Sequence, residues 1–378
     1  MASALGPLRV LDFSRVLAGP FATMMLADLG ATVTKIERPG VGDDTRAWGP
    51  PHDAAGEATY FQSVNRNKTS LSLDLADPVD LARARELAAA ADVVVENFRP
   101  GVMDRLGLGF DDLSATNPGL VYCSVTGFGR GAGAALPGYD LLIQALGGLM
   151  SITGEPDGDP QKVGVALVDV LAGLFSTVGI LAALAHRTDT GRGQRVEVDL
   201  LSSLLAALVN QGSGYTSGGS VPGRMGNQHP SIAPYELLRC ADGDLVLAVG
   251  NDRQFVALCA VLGRPDLALD PRFATNTDRV GHRAELRTEL ERLLAARPAA
   301  AWAADLTAAR VPAGVVNDVA GAFRLATELG LRPVIDIPRE DGSTVSLTRN
   351  PIGLSLTPPS YRSAPPRLAD REAADTAT

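Results

Sequence analysis

Asp169 is the residue of this sequence whose surroundings most suggest chemistry. It is the single charged residue in "VGVALVDVLAGLFSTVGILAALA" (163–185), and such a carboxylate is normally hydrogen-bonded, neutralised by a shifted pKa, or functional. "VGVALV" (163–168) predicts a strand and the residues after it a helix, which places Asp169 at a helix N-cap. Free N–H groups and the helix dipole favour an ionised carboxylate there. We therefore expect Asp169 to stay charged, whether its role is structural or catalytic.

Other familiar catalytic patterns are missing from the sequence. The four histidines, His52, His186, His229 and His282, form no metal-binding motif, so we predict no metal site. There is no GKS or GKT for a phosphate loop and no GxSxG for a serine hydrolase. "GFGRGAG" (127–133) lacks the GxGxxG spacing of a dinucleotide site, and it fits a plain glycine turn as well as a loop that approaches a ligand.

Composition excludes several further classes. The 378 residues carry a net charge of −9, which argues against nucleic acid as a partner. Three widely separated cysteines predict neither a disulfide framework nor a metal pair, and they indicate a reducing, cytoplasmic setting. The first residues do not resemble a signal peptide. The apolar stretch around Asp169 is long enough to cross a membrane, but its carboxylate favours a core helix, so we expect no membrane partner.

Short apolar runs alternate with helical patterns over the first two hundred residues. Strands are predicted at "LRVLDF", "TVTKIE", "TSLSLDL", "DVVVENF" and "LVYCSVTGFG", with helices at "PFATMMLADLG" and "PVDLARARELAAAA". This alternation predicts an α/β fold with a mostly parallel sheet. Ligands of such sheets bind at the carboxyl ends of the strands.

A change of character follows residue 210. The glycine- and serine-rich residues 211–230 predict a linker. Residues 231–325 predict a smaller α+β domain, with a hairpin turn at Asp242–Gly243 and helices near 252–263, 282–297 and 299–310. The C-terminal part again reads as strand, turn and proline-rich extended chain.

Ordered blocks of the chain resemble the class III CoA-transferases, the CaiB/BaiF family. The blocks are "VLDFSRVLAGPFATMMLADLGATVTKIERPGVGDDTRAW", "NRNKTSLSLDL", "DVVVENFRPGVMDRLGLG", "GYDLLIQALGGLMSITG", "VGVALVDVLAGL", "TGRGQRVEVDLLSSLL" and "PYELLRCADGDLVLAVGNDRQF". The resemblance implies a Rossmann-like large domain built from both chain ends, 1–210 and 330–378, with the small domain inserted between them. It also implies a homodimer of interlocked chains, with each site between the large domain of one chain and the small domain of the other.

The resemblance also implies roles for particular residues. Asp169 matches the family's nucleophile, which forms a mixed anhydride with the acyl group of a CoA thioester. The positions that match CoA-binding residues are Val16, Ala18, Arg38, Leu73, Asn97, Phe98, Arg99, Met103 and Arg105. The positions that resemble the acceptor pocket are Leu17, Trp48, Tyr60 and Tyr139. Arg253 is a candidate for the distal carboxylate of a dicarboxylic acid, although a surface salt bridge explains it equally well.

The implied activity is transfer of CoA from an acyl-CoA donor, with succinyl-CoA as a candidate, to a small carboxylic acid. CoA then acts as a substrate, and no cofactor is bound permanently. A CoA-thioester racemase is the alternative, but the related racemases carry histidine where this chain has Tyr139, and a phenol titrates near 10. Oxalate-specific relatives carry glutamine at the position of Leu17 and glycines at 249–255, which favours a larger acid here. A non-catalytic acyl-CoA-binding protein is the third interpretation.

Overall fold

Residues 3–370 are described by the computed structural model, and they divide into two compact units. The first contains residues 3–149, 162–220 and 332–370, and the second contains 150–161 and 221–331. This division differs from the expected one in two places: residues 150–161 group with the second unit, and the first half of the expected linker, 211–220, belongs to the first unit. Residues 1, 2 and 371–378, which include the end of the expected segment 330–378, lie outside the described residues.

The first unit is built on a parallel sheet of six strands in the order β3-β2-β1-β4-β5-β6. The strands are β1 Arg9–Asp12, β2 Thr32–Glu37, β3 Lys68–Ser72, β4 Val93–Glu96, β5 Val121–Thr126 and β6 Arg195–Asp199. The central strands β4 and β5 are buried along their whole length, as expected for a parallel sheet covered on both faces. The sequence therefore predicted the α/β class and the first five strands correctly.

The predicted strand at 163–168 is wrong. Residues 163–166 are irregular, and β6 occupies the sheet edge beside β5 instead. The backbone N–H of Val163 donates to Gln144 Oε1 at 2.9 Å rather than to a neighbouring strand. A side chain thus satisfies the polar backbone that a strand ladder would otherwise pair.

Helices cover the sheet of the first unit. They are α1 Ala18–Asp28, α2 Thr59–Gln62, α3 Pro78–Ala89, α4 Val102–Arg105, α5 Phe110–Thr116, α6 Asp140–Leu146, α7 Leu167–Thr190, α8 Leu200–Ala207 and α9 Val209–Thr216. In α3, the Asp77 carboxylate accepts the N–H groups of Val79 and Asp80, and proline occupies the first helical position. Both features are ordinary helix-start signals.

α7 is long and apolar enough to cross a membrane by length and composition alone. In this fold it packs along the sheet, where Val168, Ala172, Ile180 and Ala183 are almost completely buried in the core with residues of α1 and β5. The helix ends at Gly191, whose φ of +71° suits glycine. These contacts support the interpretation as a core helix.

The second unit has its own core. Its elements are β7 Tyr235–Arg239, β8 Asp244–Ala248, α10 Asp252–Val261, α11 Asn276–Gly281, α12 Arg283–Leu294, α13 Ala299–Ala308, β9 Ala313–Val315 and α14 Val319–Glu328. The predicted hairpin is confirmed, since β7 and β8 pair antiparallel and Cys240 donates to the carbonyl of Gly243. Phe255, Leu258 and Trp302 are buried in this core.

The chain returns to the first unit through a hairpin of β10 Val334–Pro338 and β11 Thr344–Thr348. Beyond it, the Arg362 guanidinium donates to the carbonyls of Ala27, Gly30 and Ala31 at 2.8–3.0 Å. These bonds satisfy carbonyls in the last turn of α1 and just after it, where helix-end acceptors have no partner within the helix. The C-terminal residues thereby anchor the end of the helix that begins at the cleft described below.

Candidate active site

A cleft of about 400 Å³ opens at the carboxyl ends of β1, β4 and β5. β1 and β4 are sheet neighbours although two strands separate them in sequence, so this is the point where the chain changes direction across the sheet. Parallel α/β sheets bind their ligands at such points. The walls come from 15–18 after β1, 97–100 after β4, the glycine-rich loop after β5, and Asp169.

Asp169 enters the cleft from the first turn of α7. The helix begins at Leu167, so Asp169 is its third residue. The prediction that Asp169 is the N-cap is therefore wrong. The N-cap residue, Ala166, has no side chain that can accept a hydrogen bond. Instead, Oδ1 of Asp140 accepts the N–H of Val168 at 2.8 Å and that of Asp169 at 3.4 Å. The helix is therefore capped from α6, which leaves the Asp169 carboxylate to face the cleft.

Two carboxylates consequently lie close together. Burial, and secondly the negative charge of Asp140, raise the pKa of Asp169 to about 7. The raised pKa contradicts the expectation that Asp169 stays charged, because a carboxyl whose pKa lies near neutrality is partly protonated there. The pKa of Tyr60 is also raised, first by burial and then by the charge of Asp169, so this phenol stays neutral.

The segment between β1 and α1 is held from two sides. Asn97 Oδ1 accepts the Arg15 N–H at 2.9 Å, and Asn97 Nδ2 donates to the Arg15 carbonyl at 2.8 Å. The Val16 N–H donates to the Asp43 carboxylate at 3.2 Å. These bonds hold Val16 at a φ of +70°, which is strained for a β-branched residue. The strained residue directs the chain into α1, whose first N–H groups have no partner inside the helix and lie at the cleft.

Positive charge and an aromatic ring also line the cleft. The Arg15 guanidinium lies 5.2 Å from the centre of the Phe98 ring. It also lies 3.7 Å from the carboxylate of Asp44, a loose and partly exposed pair. Arg99 is exposed on the cleft wall. Two arginines beside an apolar ring suit a ligand that carries both phosphate and apolar groups.

Sequence comparison agrees with this geometry. The profile of CoA-transferase family III matches residues 5–372. The chain belongs to CoA-transferase family III. It is 45% identical to a succinate–glutarate CoA-transferase of Agrobacterium fabrum, over 98% of this chain and 94% of that protein. It is 42% identical to an acetyl-CoA:oxalate CoA-transferase of Acetobacter aceti, over 97% and 93%. A solved CaiB/BaiF family protein from Brucella suis has a TM-score of 0.87 and 42% identity, with 99% and 98% coverage.

The family resemblance seen in the sequence is thus confirmed, and the protein is a CoA-transferase that acts on CoA thioesters. Its cleft brings together eight of the residues singled out from the sequence: Val16, Leu17, Ala18, Asn97, Phe98, Arg99, Tyr139 and Asp169. Tyr60 packs beside Val16 and Leu17 in the same small cluster. Trp48 contacts the edge of the Tyr60 ring at 5.2 Å and is itself 41% exposed.

Tyr60 and Trp48 are not themselves lining residues of the cleft, and five other singled-out residues do not line it either. Leu73 and Met103 are buried in the apolar core on one face of the sheet. Arg38 and Arg105 are exposed, after β2 and at the end of α4. Arg253 is exposed in the first turn of α10, in the second unit. Their functional roles in this CoA-transferase stay predictions.

The sequence analysis missed Arg15, Asp44 and Asp140. Arg15 and Asp140 each lie beside residues that it did single out, so adjacency to those residues was the available signal. The glycine-rich loop that it left open lines the cleft. A Cβ at Gly127 would lie 2.5 Å from Cα of Gly138, so the two ends of the loop touch and need glycine. This placement favours a loop that approaches the ligand over a plain turn.

Proposed function

We propose that this CoA-transferase moves CoA between two dicarboxylic acids through a mixed anhydride on Asp169, with succinyl-CoA as the donor. The observation that carries the proposal is the Asp169 carboxylate in the cleft where α1 and α7 both begin. The relative named for succinate and glutarate supports a pair of dicarboxylic acids, and the acetyl-CoA:oxalate relative supports a dicarboxylic acceptor.

The first step is attack of the ionised Asp169 on the thioester carbonyl. A C–O bond forms, the C–S bond breaks, and CoA leaves as the thiolate while the acyl group stays on Asp169 as an anhydride. The developing oxyanion needs hydrogen-bond donors that are already in place. The unpaired N–H groups at the start of α1, near Leu17 and Ala18, can supply them.

The acceptor completes the exchange. Its carboxylate attacks the acyl carbonyl of the anhydride, which frees Asp169 and links the two acids. Asp169 then attacks the acceptor's carbonyl, takes its acyl group and releases the first acid. Finally the CoA thiolate attacks the acceptor's carbonyl to give the new thioester and free Asp169. Water must stay out of the site throughout, because it would hydrolyse the anhydride.

CoA recognition is assigned to the arginines and the aromatic ring of the cleft. Arg15 and Arg99 offer charge-assisted hydrogen bonds to phosphate groups, and the Phe98 ring offers an apolar surface. Val16, Ala18 and Asn97 shape the backbone beside them. The exposed Arg38 and Arg105 remain proposed phosphate contacts.

Acceptor choice is assigned to the apolar side of the cleft. Leu17, Tyr60, Tyr139 and Trp48 would surround the acid, with Leu17 replacing the glutamine of oxalate-specific relatives. Arg253 is proposed to bind the distal carboxylate. Because one relative is named for oxalate, oxalate is the acid against which glutarate should be compared as an acceptor. We expect glutarate to be the better acceptor.

The test is a transfer assay with succinyl-CoA and a panel of glutarate, oxalate and acetate. We expect dicarboxylate-dependent formation of a new acyl-CoA, with glutarate above oxalate. Asp169→Asn should reduce kcat by at least about 10³-fold, whereas Asp189→Asn, at the exposed far end of the same helix, should keep full activity. Hydroxylamine should trap the wild-type acyl-enzyme as a hydroxamate at Asp169. Transfer by Asp169→Asn at a tenth of the wild-type rate would contradict the mechanism, and α-proton exchange without transfer would favour the racemase alternative.

We also propose that the chain works as an interlocked homodimer. Leu174, Phe175 and Val178 of α7 are 40%, 42% and 64% exposed, and α8 and α9 add exposed Leu205 and Val209. An apolar face of this kind supports a subunit interface. Light scattering should give twice the chain mass, and Val178→Glu should lower it. A monomeric wild-type protein would contradict the proposal.

A cytoplasmic location is proposed on the chemistry of the cysteines. Cys123, Cys240 and Cys259 are all unpaired with one another, which fits a reducing compartment. Fractionation of cells that express the tagged protein should recover it with cytoplasmic markers, and recovery with membranes would contradict this location.

A further inference from the structure

Asp140 contacts the first turn of α7 in a way that the transfer mechanism above does not use. One of its carboxylate oxygens accepts the backbone N–H groups of Val168 and Asp169. We propose that Asp140 is a positioning residue for the reaction: its carboxylate fixes the start of α7, and its negative charge opposes ionisation of Asp169. The proposal deepens the function of the same site and rests on Asp169 being the nucleophile.

The hydrogen bonds show why Asp140 can fix the helix. The segment before α7 is irregular, and Ala166 at the N-cap offers no side-chain acceptor. Gln144, which is fully buried, donates from Nε2 to Asp140 Oδ2 at 2.6 Å and accepts the Val163 N–H at its Oε1 at 2.9 Å. The two side chains of α6 thus hold both the segment before α7 and its first turn. Without them, the position of Asp169 would depend on a poorly held helix end.

The charges around Asp169 show why Asp140 can set its protonation. Burial raises the pKa of the Tyr60 phenol on α2, which keeps it neutral. The other polar groups that line the cleft are Tyr139, Arg15, Asp44 and Arg99. α8 carries no ionisable side chain, and Asp28, on α1, pairs with Arg66 at 2.6 Å. After burial, the cause of the raised Asp169 pKa is Asp140. A neighbouring negative charge destabilises the ionised form of a nucleophilic carboxylate, and it thereby raises the pKa and the basicity of that carboxylate.

The experiment compares Asp140→Asn, Asp140→Ala and Asp140→Glu by pH profiles of kcat and KM for CoA transfer. Asn keeps an oxygen that accepts the two N–H groups but removes the charge. The acid limb of the kcat profile, where activity is lost as Asp169 becomes protonated, should therefore move about one pH unit lower. The maximal kcat should stay within about tenfold of the wild-type value. Ala removes both the hydrogen-bond acceptor and the charge. The acid limb of the Asp140→Ala profile should move by the same amount, and kcat should also fall about 10²-fold, with KM changed far less. Glu keeps the charge and should leave the limb at its wild-type position.

The matched control is Asp77→Asn. Oδ1 of Asp77 likewise accepts two backbone N–H groups at a helix start, those of Val79 and Asp80 in α3, at 2.9 and 3.2 Å, but Asp77 does not line the cleft. Its substitution should leave the acid limb unmoved. An unmoved limb in both Asp140→Asn and Asp140→Ala, or equal kcat in these two variants, would overturn the proposal.

A second readout does not need turnover. Water-soluble carbodiimide modifies protonated carboxyl groups, and peptide mass spectrometry can follow the modification of Asp169 with pH. The midpoint should lie lower in Asp140→Asn than in the wild type, and equal midpoints would overturn the proposal. If the wild type transferred no CoA, the proposed function would fail, while this midpoint would still decide whether the charge of Asp140 opposes ionisation of Asp169.

Discussion

The first unit holds carboxylates in two opposite charge environments: Asp12 and Asp43 are buried beside lysines, whereas Asp169 is half-buried at the cleft beside a second carboxylate. Asp12, at the end of β1, lies 3.1 Å from the Lys68 ammonium. Asp43 lies 2.9 Å from the Lys35 ammonium. Asp169, by contrast, has a second carboxylate as its charged neighbour, that of Asp140. The first set pairs opposite charges and the second places like charges together.

The paired set behaves as a structural unit. Burial alone would raise the pKa of Asp12 and of Asp43, but the lysines and hydrogen bonds outweigh burial and lower both pKa values. Burial lowers the pKa of Lys68 to about 8 despite the charge of Asp12. Lys35 also donates to a backbone carbonyl, that of Ser14. Through Asp43, the unit holds the strained Val16 at the cleft.

The difference separates support from chemistry. A carboxylate that holds the fold gains from a fixed cation, because its buried charge is then compensated. A nucleophile gains from the lack of such compensation, since a cation would stabilise its ionised state and reduce its basicity. Among the described residues, Asp169 has no paired lysine or arginine. The molecule thus keeps its compensated charges beneath the cleft and its uncompensated charge within it.

Breaking the compensated set should have the largest effect on stability. Lys35→Met leaves the buried Asp43 without its cation, so the free energy of unfolding should fall by about 3–5 kcal/mol. Urea unfolding monitored by circular dichroism measures it. The double variant Lys35→Met/Asp43→Asn removes both charges and should recover at least half of the loss. A loss below about 1 kcal/mol in the single variant would show that the pair does not compensate a buried charge.

Removing the uncompensated charge of Asp169 should stabilise the fold, whereas breaking the compensated set destabilises it. Asp169 has a higher pKa in the folded than in the unfolded protein, so its ionisation destabilises the fold as pH rises from about 4 to about 7. The full shift would correspond to about 4 kcal/mol, but solvent partly screens the half-buried carboxylate. Asp169→Asn should therefore raise the free energy of unfolding by about 2 kcal/mol at pH 8 and change it little at pH 4. The same urea measurement at both pH values checks this. Equal effects at both would contradict the raised pKa.

Breaking an exposed ion pair should change the free energy of unfolding least, and it gives the baseline for the Lys35→Met and Asp169→Asn measurements. Arg83 and Glu86 lie 3.3 Å apart on the surface of α3. Glu86→Gln should change the free energy of unfolding by less than about 0.5 kcal/mol, because solvent already screens the pair. A loss comparable to that of Lys35→Met would remove the distinction between buried and exposed pairs.

Much of this organisation was predictable from residue patterns. Apolar runs such as "DVVVENF" predicted strands that the fold confirms, because residues buried on both faces of a parallel sheet must be apolar. The same rule failed at 163–168, where an apolar run precedes a helix without joining the sheet. Strand β6, whose polar sequence is RVEVD, was missed, since an edge strand needs less apolar burial. Pattern alone cannot say which segment pairs with β5, because pairing is a contact between residues distant in sequence.

The sequence by itself determined the fold class, the family and the prominence of Asp169, because these follow from residue types and their order along the chain. Only the tertiary structure decided the electrostatics of that residue. Asp140 lies 29 positions away, and α6 must pack against the start of α7 before its carboxylate can cap that helix. A charge acts through distance in space and not through separation in sequence, so the protonation of Asp169 is a property of the folded chain.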